Sequence, residues 1–197
     1  MIYLILKKIS QSTIIMSIIL LVGCATPPVS IHLQPNLAIN QTTHPFTNKT
    51  AWEINSQDHR IAQYLIEVTK NKGAAILVNE SQSSRLIIEN TLQQQWHDHG
   101  LNIKTNSADK ITIQLIKLLA KVQQDPVAHN IDANIIINVE LKTENKVFSK
   151  IFRSHTTKEA PFSVDIKKTG KELNIQLSQL LTEIVQDPEL NAKLQQL

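Results

Sequence analysis

The chain has 197 residues, with 20 basic and 17 acidic side chains and a single cysteine. Two of the basic residues, Lys7 and Lys8, and none of the acidic ones precede Cys24, so the remainder is nearly neutral at 18 basic against 17 acidic residues, interspersed along the chain. This balance excludes the clustered basic surface of a nucleic-acid binder, and one cysteine excludes an intramolecular disulfide.

Lys7 and Lys8 form a charged head, and Ile14 to Val22 is an apolar run broken only by Ser17. The run is shorter than the about 20 residues of a spanning helix and ends in the small residue Gly23, the form of a cleaved signal. Leu21-Val22-Gly23-Cys24 resembles a bacterial lipobox. That resemblance implies a signal peptide over 1–23, cleavage between Gly23 and Cys24, and lipid on the sulfur and the new amine of Cys24. One myristoyl chain holds only marginally at about 0.8 kcal/mol per buried methylene, so three chains anchor almost permanently. Cys24 is therefore expected to be an anchor rather than a nucleophile. Ala25 stands where an aspartate would favour inner-membrane retention, which in a Gram-negative host predicts an outer-membrane lipoprotein facing the periplasm.

Residues 24–28 include Pro27 and Pro28 and read as a stiff tether, followed by one domain over 29–197. Val29 to Leu33 alternates as a strand; 34–50, punctuated by Pro35 and Pro45, reads as a long loop or arm. Trp52 and Ile54 mark a strand, Asn55-Ser56-Gln57-Asp58 a turn, and Ile61–Val68 and Ala74–Val78 two further strands divided at Asn71-Lys72-Gly73. Ser81 or Ser83 can cap a helix whose Ile88, Leu92 and Trp96 share one face and which closes at Gly100.

Lys110 to Val122 fits two patterns. Ile111, Ile113 and Leu115 alternate as in a strand, while Ile111, Leu115, Leu118, Leu119 and Val122 fit a helix face. A strand is expected, because the segments that follow need neighbours. Ala133 to Leu141 alternates with Ile136 as the exception, Thr143 to Lys146 forms a turn, and Val147 to Phe152 returns, so Lys110–His155 reads as a meander. After Asp165, Leu173, Leu177, Leu180, Leu181 and Ile184 form a helical stripe, with Gly170 costing about 1 kcal/mol near its start. Asp187-Pro188 stops and restarts the helix, and Leu190, Leu194 and Leu197 continue an apolar face. The expected fold class is α+β, a single periplasmic domain with a largely antiparallel sheet and two or three amphipathic helices on one face.

Several short features recur in order: the lipobox followed by prolines, Asp58-His59-Arg60 after the first domain strand, and Arg85 in a helix closed by Gly100. Asn130-Ile131-Asp132-Ala133 then leads into a strand, and the terminal helix runs to Gln186-Asp187. In this order the chain resembles the YajG family of uncharacterised bacterial lipoproteins. The resemblance implies an outer-membrane lipoprotein with an α+β domain, and it brings no catalytic residues.

The residues themselves supply no Ser/His/Asp or Cys/His signature and no glycine-rich phosphate loop. His97-Asp98-His99 has the residue types of a metal site, but positions i and i+2 on a helix diverge by about 200°, which favours a solvated helix end. Asp58 and Arg60 read as a turn aspartate and a surface arginine rather than a partner-binding charge pair. No catalytic, cofactor or metal residue is assigned, and no enzyme activity is expected. The expected partners are the membrane, through lipid on Cys24, and an envelope protein joined at an exposed strand edge. The competing reading is a small periplasmic hydrolase or metal-binding enzyme assembled from His97, His99, His129 or Asp58.

Overall fold

The computed structural model describes residues 29–39, 46–47, 50–71 and 73–196, so the signal segment, Gly23, Cys24, the tether 24–28, much of the 34–50 arm and Leu197 lie outside the described residues. Among the described residues the elements are β1 (Ser30–Ile31), β2 (Ala51–Asp58), β3 (Tyr64–Lys70), β4 (Ile76–Glu80), α1 (Ser84–Asp98), β5 (Asn102–Ile103), β6 (Asp109–Gln124), β7 (Ala128–Lys142), β8 (Val147–Pro161), α2 (Ile166–Gln186) and α3 (Pro188–Gln196). The strand at 110–122 and the meander that follows it are present, with the meander extending to Pro161.

The sheet is mixed, which corrects the largely antiparallel sheet expected from sequence. β6 pairs antiparallel with β7 along one side, and its other side is shared by β2 and β3, both parallel to it. Asp58 stands opposite Leu115 and Ile66 opposite Ala120, so β2 and β3 follow one another along the same edge of β6. The physical reason lies in the connection. Asn55 to Asp58 does not turn but continues β2, and the chain steps out over 59–63 and resumes in the same direction. β1 and β5 add further parallel pairs, to β4 and β2.

β6 also contains a bulge. The register with β7 shifts between Leu115 and Lys117, inserting Ile116 and reversing the phase of alternation. Ile111, Ile113 and Leu115 point into the core before the bulge, and Leu118, Ala120 and Val122 do so after it. This phase change produced the helix-like spacing in the sequence.

A single core joins these strand residues to Ile88, Leu92 and Trp96 of α1 and to the leucine stripe of α2 and α3. Helix α1 closes as the glycine predicts: Gly100 has φ 89°, its N–H reaches His97 O at 2.9 Å, and Leu101 N–H reaches Trp96 O at 2.9 Å. Its start differs, because Ser83 makes no side-chain cap bond; the Glu80 carboxylate accepts the Ser84 N–H at 3.1 Å instead. For α2, Asp165 caps Lys168 N–H at 3.1 Å. Gly170 lies against Ile31, where an added Cβ would meet Cδ1 at 2.7 Å, so the helix accepts the glycine to let β1 approach. The described part of the 34–50 arm is tied down, with Gln34 N–H donating to Asn174 at 2.7 Å and Asn36 N–H to Ser178 at 3.1 Å.

Candidate functional site

The step between β2 and β3 is built by Arg60, which is 8% exposed and so is not the surface arginine expected. Its Nε and Nη2 donate to the two oxygens of Asp58 at 3.0 and 2.7 Å, and Nη2 also donates to Glu80 at 3.1 Å. Glu80 accepts from the Ser84 hydroxyl at 2.5 Å as well as from its N–H, so one carboxylate joins the buried guanidinium to the start of α1. The hydrogen bond from Arg60 holds the Asp58 carboxyl below its ordinary pKa, against the smaller opposing pull of burial. Burial pulls the Arg60 pKa down, and Asp58 and Glu80 together more than offset it. A second tie joins α1 to β2: Arg85 donates to the Ser56 hydroxyl at 2.7 Å, and that hydroxyl donates to Glu89.

With Arg60 turned inward, the excursion 59–63 carries Ile61 outward, 107% exposed. Between it and the bulge of β6 lies a groove of about 390 Å3 on the sheet face away from the helices. Its apolar lining includes Ile61, Ile116, Leu119 and Ile136, with Tyr64, Lys117 and Lys121 beside them. Ile136 is the residue that broke the alternation of β7. The bulge brings Ile116 into the same groove as Lys117, which a regular strand would place on opposite faces. This arrangement suits the reversible burial of an apolar group, since its volume falls within the roughly 300–1,000 Å3 of small-molecule sites. It gathers no nucleophile beside a base.

A family model described as "Uncharacterized lipoprotein" matches residues 37–195. The chain belongs to the YajG lipoprotein family. The Escherichia coli K12 protein "Uncharacterized lipoprotein YajG" is 26% identical over 92% of this chain and 94% of its own, and its counterpart from strain CFT073 matches equally. In structure, protein XCC0632 from Xanthomonas campestris aligns over 86% of this chain and 97% of its own with a TM-score of 0.61 at 16% identity, a likeness of fold.

In this YajG-family chain the residues of the enzyme reading are dispersed along β6. His97 and His99 end α1, beside β5 and the start of β6; Asp58 stands opposite Leu115; His129 stands opposite Gln124. Nine residues of strand separate the last two levels, roughly 30 Å. His99 Nδ1 lies 2.6 Å from Gln95 O and His129 Nδ1 lies 2.9 Å from Phe162 O, so each ring is held locally. Among the described residues no three His, Cys, Asp or Glu side chains are gathered as metal ligands, and no helix is long and apolar enough to cross a membrane.

The free side of β8 is the strand edge closest to the strand-addition expectation, since β8 pairs with β7 alone. Lys150 and Lys158 of β8 are engaged by Asp187 and Glu189 and by Glu172, and charged side chains of this kind discourage edge pairing. The groove is the stronger candidate. Sequence reasoning assigned no functional role to Ile61, Ile116, Leu119 or Glu80; the available signals were the apolar exception at Ile136 and the two-way pattern at 110–122.

Proposed function

We propose that this protein is an outer-membrane lipoprotein, tethered through lipid on Cys24, whose periplasmic domain is a noncatalytic binding module. The signal-like segment and lipobox support the anchor, with 1–23 removed, 24–28 as the tether and the domain following from residue 29. The observation that carries the binding role is the groove itself: an apolar hollow beneath a fully exposed Ile61, beside polar outer-face residues of β6 and β7 such as Gln114, Asn134 and Asn138. A fully solvated isoleucine at a cavity rim gains free energy once a partner covers it, by about 25 cal/mol for each Å2 of apolar surface removed from water.

A photocrosslinking residue placed at position 61 in the full-length lipoprotein, in cells, tests this reading beside the same residue at Ile175 on exposed α2. Position 61 should capture a defined envelope component that position 175 does not. Stoichiometric metal in the purified protein, or a turnover lost in His97→Ala, would sink the noncatalytic reading in favour of the enzyme.

A further inference from the structure

The groove has a chemical polarity that its apolar floor alone does not express. Lys117, Ile136 and Arg153 stand opposite one another on β6, β7 and β8, and directly opposed residues share a face of the sheet. Two cations therefore flank the isoleucine of the groove floor. Neighbouring strands lie about 4.8 Å apart, so the Cα atoms of Lys117 and Arg153 are roughly 10 Å apart, and both long side chains can reach one anion above Ile136. Among the described residues neither cation has a carboxylate within ion-pair distance, whereas Arg60, Lys110, Lys150 and Lys158 each do. Lys121 differs again, standing between Glu67 and Asp132 in register. Charge on this face is thus left uncompensated beside the apolar hollow.

We propose that the groove binds a single-chain anionic amphiphile, the hydrocarbon lying along Ile116, Leu119 and Ile136 under Ile61 and the acidic head taken by Lys117 and Arg153. This rests on the reading of the groove as the binding site and names its ligand class. The guanidinium of Arg153 offers a planar fork to a carboxylate or phosphate, and Lys117 adds a point charge from the other side. A neutral apolar ligand would use the floor and leave both cations idle. An acidic peptide would use the cations, but it would need further polar partners along an apolar floor.

The test uses the full-length lipoprotein in neutral detergent, with diazirine-bearing palmitate as the probe and peptide mapping of the labelled sites. Label should concentrate on the peptides containing Ile61–Tyr64 and Ile116–Leu119. It should be competed by hexadecyl phosphate and not by hexadecanol, and fall roughly tenfold or more in Lys117→Glu and Arg153→Glu, the scale of one lost charge-assisted hydrogen bond. Both substitutions lie on the solvent face, and unchanged urea midpoints would confirm that the fold is kept. Label spread over the chain, equal competition by hexadecanol, or indifference to both charge reversals would overturn the proposal. If position 61 still captures an envelope protein while palmitate leaves the groove unlabelled, the binding role stands and the amphiphile falls.

Discussion

Replacing Arg60 by methionine keeps an unbranched apolar stem in place and removes the guanidinium that Asp58 and Glu80 share. Removing one partner of a fully buried pair costs about 3–5 kcal/mol because the other charge is stranded. Here the two carboxylate side chains keep 20% and 18% exposure and can partly rehydrate, which lowers the expectation to roughly 2–3 kcal/mol. With a urea slope of about 1–3 kcal/mol per M, the midpoint should fall by on the order of 1–2 M. Asp58→Asn, alone and with Arg60→Met, completes a double-mutant cycle in which the two effects should not add. A loss under about 0.5 kcal/mol, as for an exposed pair, or additivity within about 0.5 kcal/mol would refute the account of a buried charge cluster. The same pair sets a pH dependence. Arg60 lowers the Asp58 pKa in the folded chain, so the native state binds fewer protons than the unfolded one, and the stabilisation is full above the unfolded carboxylate value near about 3.9. It is lost as pH falls through the depressed folded value, and Asp58→Asn should flatten that acid limb.

Gly100→Ala forces a Cβ into φ 89° at the end of α1 and should cost about 1–2 kcal/mol, read as a lowered thermal midpoint. Deleting 166–197 removes Leu173, Leu177, Leu180, Leu181, Ile184, Leu190 and Leu194 from the core, each contributing about 1.5–3 kcal/mol, a sum of the same order as the about 5–15 kcal/mol net stability of a whole domain. Loss of the amide dispersion in NMR spectra should follow, and a retained β6–β7–β8 meander would count against this packing. Cys24→Ser should abolish lipid labelling and leave the precursor uncleaved, with mass spectrometry of the N-terminus as the readout; an unmodified mature N-terminus at another residue in the native protein would contradict the anchor.

What could be read from the chain was local. The stripe of Ile88, Leu92 and Trp96, the glycine that ends α1, the alternation of β7 and the Asp187-Pro188 restart each depend on residues within a few turns or pleats of one another. Strand direction was not legible, because it depends on whether the chain after Asp58 reverses or steps aside. The step is held by contacts such as that from Arg60 to Glu80, twenty residues on. The start of α1 was not fully legible either: Ser83 has the chemistry of a cap but makes no side-chain cap bond, and the Ser84 N–H is taken by the Glu80 carboxylate. Asp58 and Arg60 were read as a turn aspartate and a surface arginine; their ion pair and the burial of Arg60 need the fold.

The two places where the sequence pattern failed meet in space. Inserting Ile116 reverses the phase of β6, and Ile136 sets an apolar side chain on the outer face of β7 directly opposite Lys117. The excursion 59–63 opens the other side of β6 at the same level. Each irregularity taken alone is an ordinary defect of a long strand. At the neighbouring row β6 and β7 are polar on this face, with Asn138 donating to Gln114 at 3.0 Å and accepting from Ser149 at 2.9 Å, while Ile151 of β8 stands exposed opposite Asn138. The level of the bulge holds exposed aliphatic surface beside two cations, an arrangement that lowers solubility and leaves Lys117 and Arg153 without a compensating carboxylate. Three coincident departures from the regular strand pattern are accounted for together when the level is a surface made to be covered.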